Sequence, residues 1–265
     1  KEITGSLDEV QIANISTRIN QLVELEKRRE TVLHTIEEQG KLTAELRKKI
    51  TSTYDPIELE DLYLPYKPKR KTKASVAREK GLEPLALHIL EQSKNNLSEL
   101  AKSFLSKEKD VSSIEEALQG ARDIVAEMIS ETKEVRSLIR SQFQRQAIVK
   151  SSVAKGKDEE GSKYKDYFEY EEPLQKCPSH RFLAIMRGVN EEVLKLSIAP
   201  DHDTTIQAIE NSAIKKNATR ESKEQLDLAI KDSYKRLLQP SIETEFRQMT
   251  KEKADLEAIQ VFSLN

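Results

Sequence analysis

The chain has 265 residues, of which 34% are charged and 5% aromatic, with seven glycines and eight prolines, a composition that favours long solvated helices over a sheet protein. Its formal net charge of −2 gives the chain as a whole no electrostatic reason to bind nucleic acid, so such a function must rest on local clusters. The single cysteine excludes an internal disulfide framework and a zinc site with several thiolates. No stretch approaches the roughly 20 apolar residues of a membrane span. We therefore expect a cytoplasmic protein without membrane contact.

The first elements are helices joined by short turns. Apolar residues recur at helical spacing over 7–39, which predicts one long amphipathic helix or a broken pair. Gly40 is typical of a helix C-terminus, and Thr43 is a suitable N-cap for a second helix that continues to about Ile50. Prolines at 56, 65 and 68 exclude a continuous helix, so we predict an ordered loop over 55–73.

Further helices are predicted along the middle of the chain. Short ones are expected at 74–80, ended by Gly81, and at 84–92. The capping-box spacing of Ser112 and Glu115 begins a third, and a fourth restarts near Thr132. Glycines and alternating charges over 150–173 predict a long mobile loop.

The last part of the chain contains the best strand candidate. A helix is expected from Pro178 to Arg187, and the alternation over 193–198 is typical of a strand. Helices are then predicted at about 204–214, 223–238 and 241–262, with Pro240 forcing a break between the last two.

We therefore predict an all-α, multi-helical fold with helix-turn-helix-like units and at most a small β-hairpin near 193–198. Two lobes are expected. Residues 1–110 contain the helix-turn-helix-like pair and a basic loop with tyrosine and proline, and residues 111–265 contain the loop at 150–173.

The main functional candidate is a basic segment at residues 66–80. It contains seven cationic residues and one acidic residue, Glu79, for a local charge of +6. Such a cluster can neutralise phosphates, and Tyr63 and Tyr66 could stack on unpaired bases. The alternative is that the prolines and tyrosines hold the loop against the protein while the cations are only solvated, and the sequence leaves both open. The candidate cations are Lys67, Lys69, Arg70, Lys71, Lys73, Arg78 and Lys80.

Two weaker candidates for nucleic-acid contact have ordinary explanations. The second helix of the pair around Gly40 could present Arg47 and its neighbours to a groove, but helix pairs with a glycine turn are common in bundles. Arg136, Arg140 and Arg145 form a second basic run, although nearby acidic residues indicate a solvated helix face with paired charges.

No constellation in the sequence indicates catalysis. Asp201-His202-Asp203 resembles a metal or general-base motif, but Pro200 and Thr204 around it predict a turn and an N-cap. His180 near Cys177 lacks the glycine-rich elbow of a nucleophile site. Because phosphate-binding, dinucleotide and metal motifs are absent as well, we expect no catalytic residue, no metal and no cofactor.

The run Glu60–Lys73, with Gly81-Leu82-Glu83-Pro84-Leu85 after it, resembles the signature of the bacterial Tex family of transcription accessory proteins. Blocks at 4–9, 36–43, 117–124 and 155–168 agree in order, as do Pro178-Ser179-His180-Arg181 and Tyr234-Lys235-Arg236-Leu237-Leu238. The resemblance covers essentially the whole chain. Since the chain begins at Lys1 and stops after an apolar run, we expect it to be a piece of a longer protein.

The resemblance implies a multidomain protein tied to transcription and RNA binding. Such proteins continue with an RNase H-like domain, helix-hairpin-helix motifs and a C-terminal OB-fold RNA-binding domain, none of which we expect in this chain. The resemblance also implies that the OB-fold domain carries most of the nucleic-acid affinity. The leading hypothesis is thus a scaffold that assists weak, non-specific RNA or DNA contact near the transcription machinery. The alternative is a module that docks on an acidic partner or on the missing C-terminal domains.

Overall fold

The computed structural model describes residues 9–92 and 96–263, with side chains over 11–92 and 96–261. The chain divides into a first unit, Lys1–Arg70, and a second unit, Lys71–Asn265. In both units nearly every element is a helix, which confirms the predicted fold class.

Three helices form the described part of the first unit: α1 (Glu9–Glu38), α2 (Ala44–Ser52) and α3 (Pro56–Tyr63). The turn between α1 and α2 follows from local chemistry, because Gly40 adopts φ +66 and the Thr43 hydroxyl accepts the Leu46 N–H at 3.1 Å. The core is small, and its buried side chains are Leu25, Val32, Ile36, Ile50, Leu59 and Tyr63.

The predicted loop over 55–73 is wrong for its first half. Asp55 accepts the Ile57 N–H at 2.9 Å and Pro56 occupies the first turn, so this proline begins α3 instead of preventing a helix. A 3-10 turn at Leu64–Tyr66 follows, and irregular chain extends from there to Thr72.

The second unit begins with helices packed around a long central one. They are α4 (Lys73–Glu79), α5 (Glu83–Glu91), α6 (Leu97–Lys102), α7 (Ile114–Glu131) and α8 (Lys133–Gln146). The cap of α7 lies one residue later than predicted, because Ser113 accepts the Glu116 N–H and Glu116 accepts from Ser112. Since α4, α5 and α6 all pack on α7, they belong to the second unit, and the observed boundary precedes the predicted one at 110/111.

The predicted loop over 150–173 is wrong at both ends, which are strands of a sheet, and its middle contains a 3-10 helix at Ser162–Tyr167. Strands β1 (Ile148–Val153), β2 (Glu169–Pro173) and β3 (Leu194–Ala199) form an antiparallel sheet in the order β2-β1-β3. Val149 and Ile198 point into the core, whereas Lys150 faces outward and pairs with Glu171 at 3.2 Å. Lys150 and Glu171 therefore lie on the solvent-exposed face of the sheet, whereas most other charged residues of this segment lie in the connection over 154–168. The strand predicted near 193–198 is confirmed as β3.

The remaining helices are α9 (Ser179–Asn190), α10 (His202–Ala213), α11 (Arg220–Ser233) and α12 (Gln239–Ser263). The predicted break at Pro240 is wrong, since a π-helical turn at Tyr234–Leu238 joins α11 to α12. In this turn the Gln239 N–H bonds the Tyr234 carbonyl, five residues back, and the wider ladder accepts a proline without ending the helix.

Side chains of α12 cover the outer edge of β3. Glu243 accepts the Ile198 N–H at 2.9 Å, and Arg247 donates to the Leu196 carbonyl at 2.9 Å. Polar groups of an edge strand that would otherwise remain open are thereby satisfied. Among the described helices, we find none with both the length and the apolar character needed to cross a bilayer.

Replacing Gly120 with valine is expected to destabilise the second unit. A Cβ at this position of α7 would lie 2.4 Å from Leu82 Cδ1, and Leu82 is only 1% exposed. We expect a loss of about 1–3 kcal/mol in the free energy of unfolding, measured by urea denaturation. In a Leu82→Ala background the cost of Gly120→Val should shrink, and an undiminished cost would contradict this explanation.

Candidate nucleic-acid interface

Tyr63 and Tyr66, the two tyrosines expected to stack on bases, pack within the first unit. Tyr63 is 6% exposed at the end of α3, with the Arg28 guanidinium 5.1 Å from its ring centroid. Two hydrogen bonds from Arg28 to Glu60, at 2.6 and 3.0 Å, hold that guanidinium and raise its pKa. Tyr66 is half-buried, and its carbonyl accepts from Gln39 at 2.7 Å. Tyr63 is therefore part of the core and not a stacking surface.

The cations immediately after Tyr66 lie at the surface. Lys67, Lys69, Arg70 and Lys71 are all exposed, on irregular chain that two prolines keep out of a helix. Within the described residues Lys67, Arg70 and Lys71 make no ion pair, whereas Lys69 has an interaction inside the protein. These side chains keep the exposure and charge that phosphate contact requires.

Thr72 fixes the point where this chain enters α4. Its hydroxyl accepts the Ser75 N–H at 3.0 Å, while the Ser75 hydroxyl accepts the Thr72 N–H at 2.8 Å. Thr72 also donates to the buried Glu127 of α7 at 3.1 Å. The start of α4 is thus anchored to the central helix of the second unit.

Arg78, a predicted phosphate contact, serves the same anchor. Its guanidinium lies 2.6 Å from a Glu127 oxygen and 3.3 Å from a Glu83 oxygen. Burial opposes the Arg78 charge, but the hydrogen bonds to these two carboxylates outweigh it and raise its pKa. The charge of Arg78 is thus balanced by two carboxylates of the protein, which leaves it less available to phosphates than the exposed cations before Thr72.

Lys80 and Lys73 border a cleft that is lined by both basic and acidic side chains. Lys80 donates to the Asp110 carbonyl at 2.6 Å, and its Nζ lies 3.3 Å from the Asp110 carboxylate. The cleft, of about 210 Å³, lies between α4 and α7 and is lined by Lys73 and Lys80 together with Glu116 and Asp123. Burial raises the Asp123 pKa, although the charge of the exposed Lys73 opposes this. Phosphates would meet carboxylates inside the cleft, so only its outer cation, Lys73, suits the interface.

Most of the second basic run is also structural. Arg136 is 5% exposed, and both Arg136 and Arg140 donate to Glu245 of α12, the latter at 2.7 and 3.2 Å. Only Arg145, at the end of α8, is exposed. Arg136 and Arg140 therefore join α8 to α12, and the structure does not place them with the basic segment.

The motifs set aside in the sequence have local structural roles. Asp201 caps α10 by accepting the Thr204 N–H at 2.8 Å, and the hydrogen bonds from Thr204 lower the Asp201 pKa. Cys177 lies 3.8 Å from the Tyr170 hydroxyl, and burial raises the pKa of its thiol, which disfavours the nucleophilic thiolate. Among the described residues no three His, Cys, Asp or Glu side chains converge as metal ligands.

Sequence reasoning missed the two carboxylates that organise these contacts, Glu127 and Glu245. Glu127 follows Ile124 by three residues and therefore lies on the buried face of α7. A carboxylate on an apolar face was a usable signal for a buried ion pair. Glu245 follows the buried Ile242 by three residues and gave the same signal.

Comparison with known families decides the assignment. A family model described as "Tex central region-like" matches residues 92–262, and one described as "Tex-like protein N-terminal domain" matches residues 1–37. The chain belongs to the Tex family. This confirms the resemblance found in the sequence.

Relatives of this Tex region are much longer than the region itself. The protein YdcI of Bacillus subtilis is 46% identical over 267 residues, which cover 100% of this chain and 37% of YdcI. Transcriptional accessory protein Tex of Neisseria gonorrhoeae is 38% identical over 269 residues, which cover 100% of the chain and 35% of that protein. S1 RNA-binding domain-containing protein 1 of Homo sapiens is 28% identical over 278 residues, covering 100% of the chain and 28% of the human protein. The chain thus spans about a third of the length of the relatives it matches.

Replacing Glu245 with glutamine is expected to destabilise this Tex region. The substitution leaves two largely buried guanidinium groups without a shared carboxylate, and we expect a loss of about 2–3 kcal/mol, less than for a fully buried pair because Glu245 is 26% exposed. Urea denaturation measures it. Glu252→Gln, at an exposed site on the same helix, is the control and should cost under about 0.5 kcal/mol. Equal effects of the two substitutions would contradict a structural role for Arg136 and Arg140.

Proposed function

We propose that this region is the N-terminal scaffold of a Tex-family transcription accessory factor and assists non-specific contact with RNA or DNA. The observation that carries the proposal is the exposure of Lys67, Arg70 and Lys71, which make no ion pair within the described part of the chain. Lys69 and Lys73, both exposed, extend the series. Cations on a chain held at its end by a capped helix can contact phosphates without reading bases.

The names of two relatives support the same function. One is named as a transcriptional accessory protein and another as a protein with an S1 RNA-binding domain. The formal charge of −2 and the buried Tyr63 both argue for weak contact that is driven by phosphates and lacks base stacking. We propose that tight binding belongs to other parts of the full-length protein, and that the protein acts in the cytoplasm near the transcription machinery.

Neutralising the exposed cations is expected to weaken RNA binding. In a variant with Lys67, Lys69, Arg70, Lys71 and Lys73 changed to glutamine, the salt dependence of binding to single-stranded RNA should become shallower. The slope of log K against log salt should fall by about 0.7 for each phosphate that the variant no longer neutralises. Fluorescence anisotropy at several salt concentrations measures both the affinity and the slope.

The matched control neutralises five exposed lysines elsewhere that make no ion pair within the described chain, namely Lys155, Lys165, Lys195, Lys216 and Lys223. The control variant should retain the affinity and the slope of the wild type. Equal losses of affinity and slope in both variants would show that only the net charge matters. An unchanged slope in the variant at residues 67–73 would refute the proposal. Crosslinks from residues 67–73 to protein instead of RNA, in the full-length protein, would favour the acidic-partner alternative.

We also propose that this region performs no chemistry of its own. The described residues contain no group of three potential metal-ligating side chains, and the Cys177 thiol is disfavoured as a nucleophile. Incubation with labelled RNA and DNA across Mg²⁺, Mn²⁺ and Zn²⁺ should give no cleavage. Turnover that survives repurification and depends on this chain would overturn the proposal.

A further inference from the structure

The first half of α1 is exposed to solvent. Residues 11–24 are all exposed, and Leu25 is the first core residue of the helix. Large aliphatic side chains nevertheless line this segment, each between 36% and 54% exposed, at Ile12, Ile15, Ile19, Leu22 and Val23. Because their spacing follows the helical repeat, they form a stripe along one side of α1. We call it the α1 stripe.

A groove also lies beside α1, but on another side of the helix. This cavity of about 670 Å³ is lined by Leu22, by polar residues of α1 such as Gln21 and Glu24, and by Tyr54 and Pro56. At about 100° per residue, Gln21 and Glu24 lie on the side of α1 opposite the α1 stripe. The groove is therefore separate from the stripe, and the stripe by itself is the apolar face that suits an amphipathic helix.

The sequence of this segment is that of a buried surface. Residues 11–23 contain a single charged residue, Arg18, in a chain that is 34% charged. Depletion of charge distinguishes the centres of protein interfaces from ordinary surface. Asparagine, serine, threonine and β-branched residues also give the segment low helix propensity, and the ion pairs along the described part of α1 begin only at Glu24–Lys27. Such a helix requires a partner to remain formed.

The size of the surface indicates what that partner is. From their exposed fractions, the five aliphatic residues of the α1 stripe offer roughly 450 Å², less than the ~800 Å² per partner of a stable interface between separate proteins. A partner in the same polypeptide has no such requirement, because tethering supplies a high effective concentration. The curated relatives contain nearly two-thirds of their length outside the matched region.

We propose that the α1 stripe binds an amphipathic helix of the same polypeptide, from the part of the full-length protein outside these 265 residues. The contact holds the first unit against the remainder of the protein. It is independent of the basic segment and of RNA binding.

Hydrogen exchange tests the proposal by comparing the amides of residues 11–23 in the full-length protein and in the 265-residue chain. They should exchange at least about 10-fold more slowly in the full-length protein, at any protein concentration. Ile15→Glu with Ile19→Glu should abolish the difference. Asn14→Glu with Gln21→Glu introduces the same charges on the opposite side of α1 and should preserve it.

Three results would overturn the proposal. Equal exchange in the two proteins would show that no helix in cis covers the stripe. Protection that increases with concentration would assign the surface to a second copy, and protection that appears only on adding another protein would assign it to a separate partner. Exchange over 25–63 verifies that each variant retains the first-unit core, because the substituted side chains lie outside it.

Discussion

The buried carboxylate of Glu127 holds the beginning of the second unit together. It receives the Arg78 guanidinium at 2.6 Å and the Thr72 hydroxyl at 3.1 Å, and so fastens both ends of α4 to α7. Without these partners the buried Glu127 charge would destabilise the fold, and without Glu127 the Arg78 guanidinium would do the same. Each group therefore requires the others. The exposed chain before Thr72 is therefore attached to a fixed point. The chain is ordered at Thr72, while the cations before it stay solvated. Arg78, whose charge pairs with Glu127, is the cation that fixes this point.

The same use of charged groups recurs at the far end of the chain. Glu245 gathers Arg136 and Arg140, while Glu243 and Arg247 satisfy the edge of β3. In this protein, charged side chains thus make contacts between helices and strands that apolar side chains make in other proteins. This is how 37% apolar residues suffice for an ordered fold. The number of charged residues in the sequence therefore overstates how many charges remain able to contact a ligand.

Features set by near neighbours in sequence could be predicted. The Gly40 turn, the Thr43 cap and the Asp201 cap depend on groups within about three residues, and the structure confirms them. Two of the errors have distant causes. Ser151 pairs with Tyr170 across the sheet, and Arg136 finds its carboxylate 109 residues later. The basic segment was visible in the sequence, but which of its cations are exposed depends on Glu127 and Asp110, which come later in the chain.

The π turn between α11 and α12 has a consequence for how this protein tolerates change in length. An α-helix rotates by about 100° per residue, so a turn that contains one extra residue sets every side chain of α12 back by about that angle relative to an unbroken α-helix. Glu243, Glu245 and Arg247 reach β3 and α8 only with that phase. A regular α-helix through the same residues would turn all three side chains away together, whereas removing one residue from Tyr234–Leu238 would remove the extra residue and leave their direction nearly unchanged. The irregular turn therefore takes up one residue while keeping the rotational phase that α12 needs, and the loss of one residue is better tolerated there than within α11 or α12.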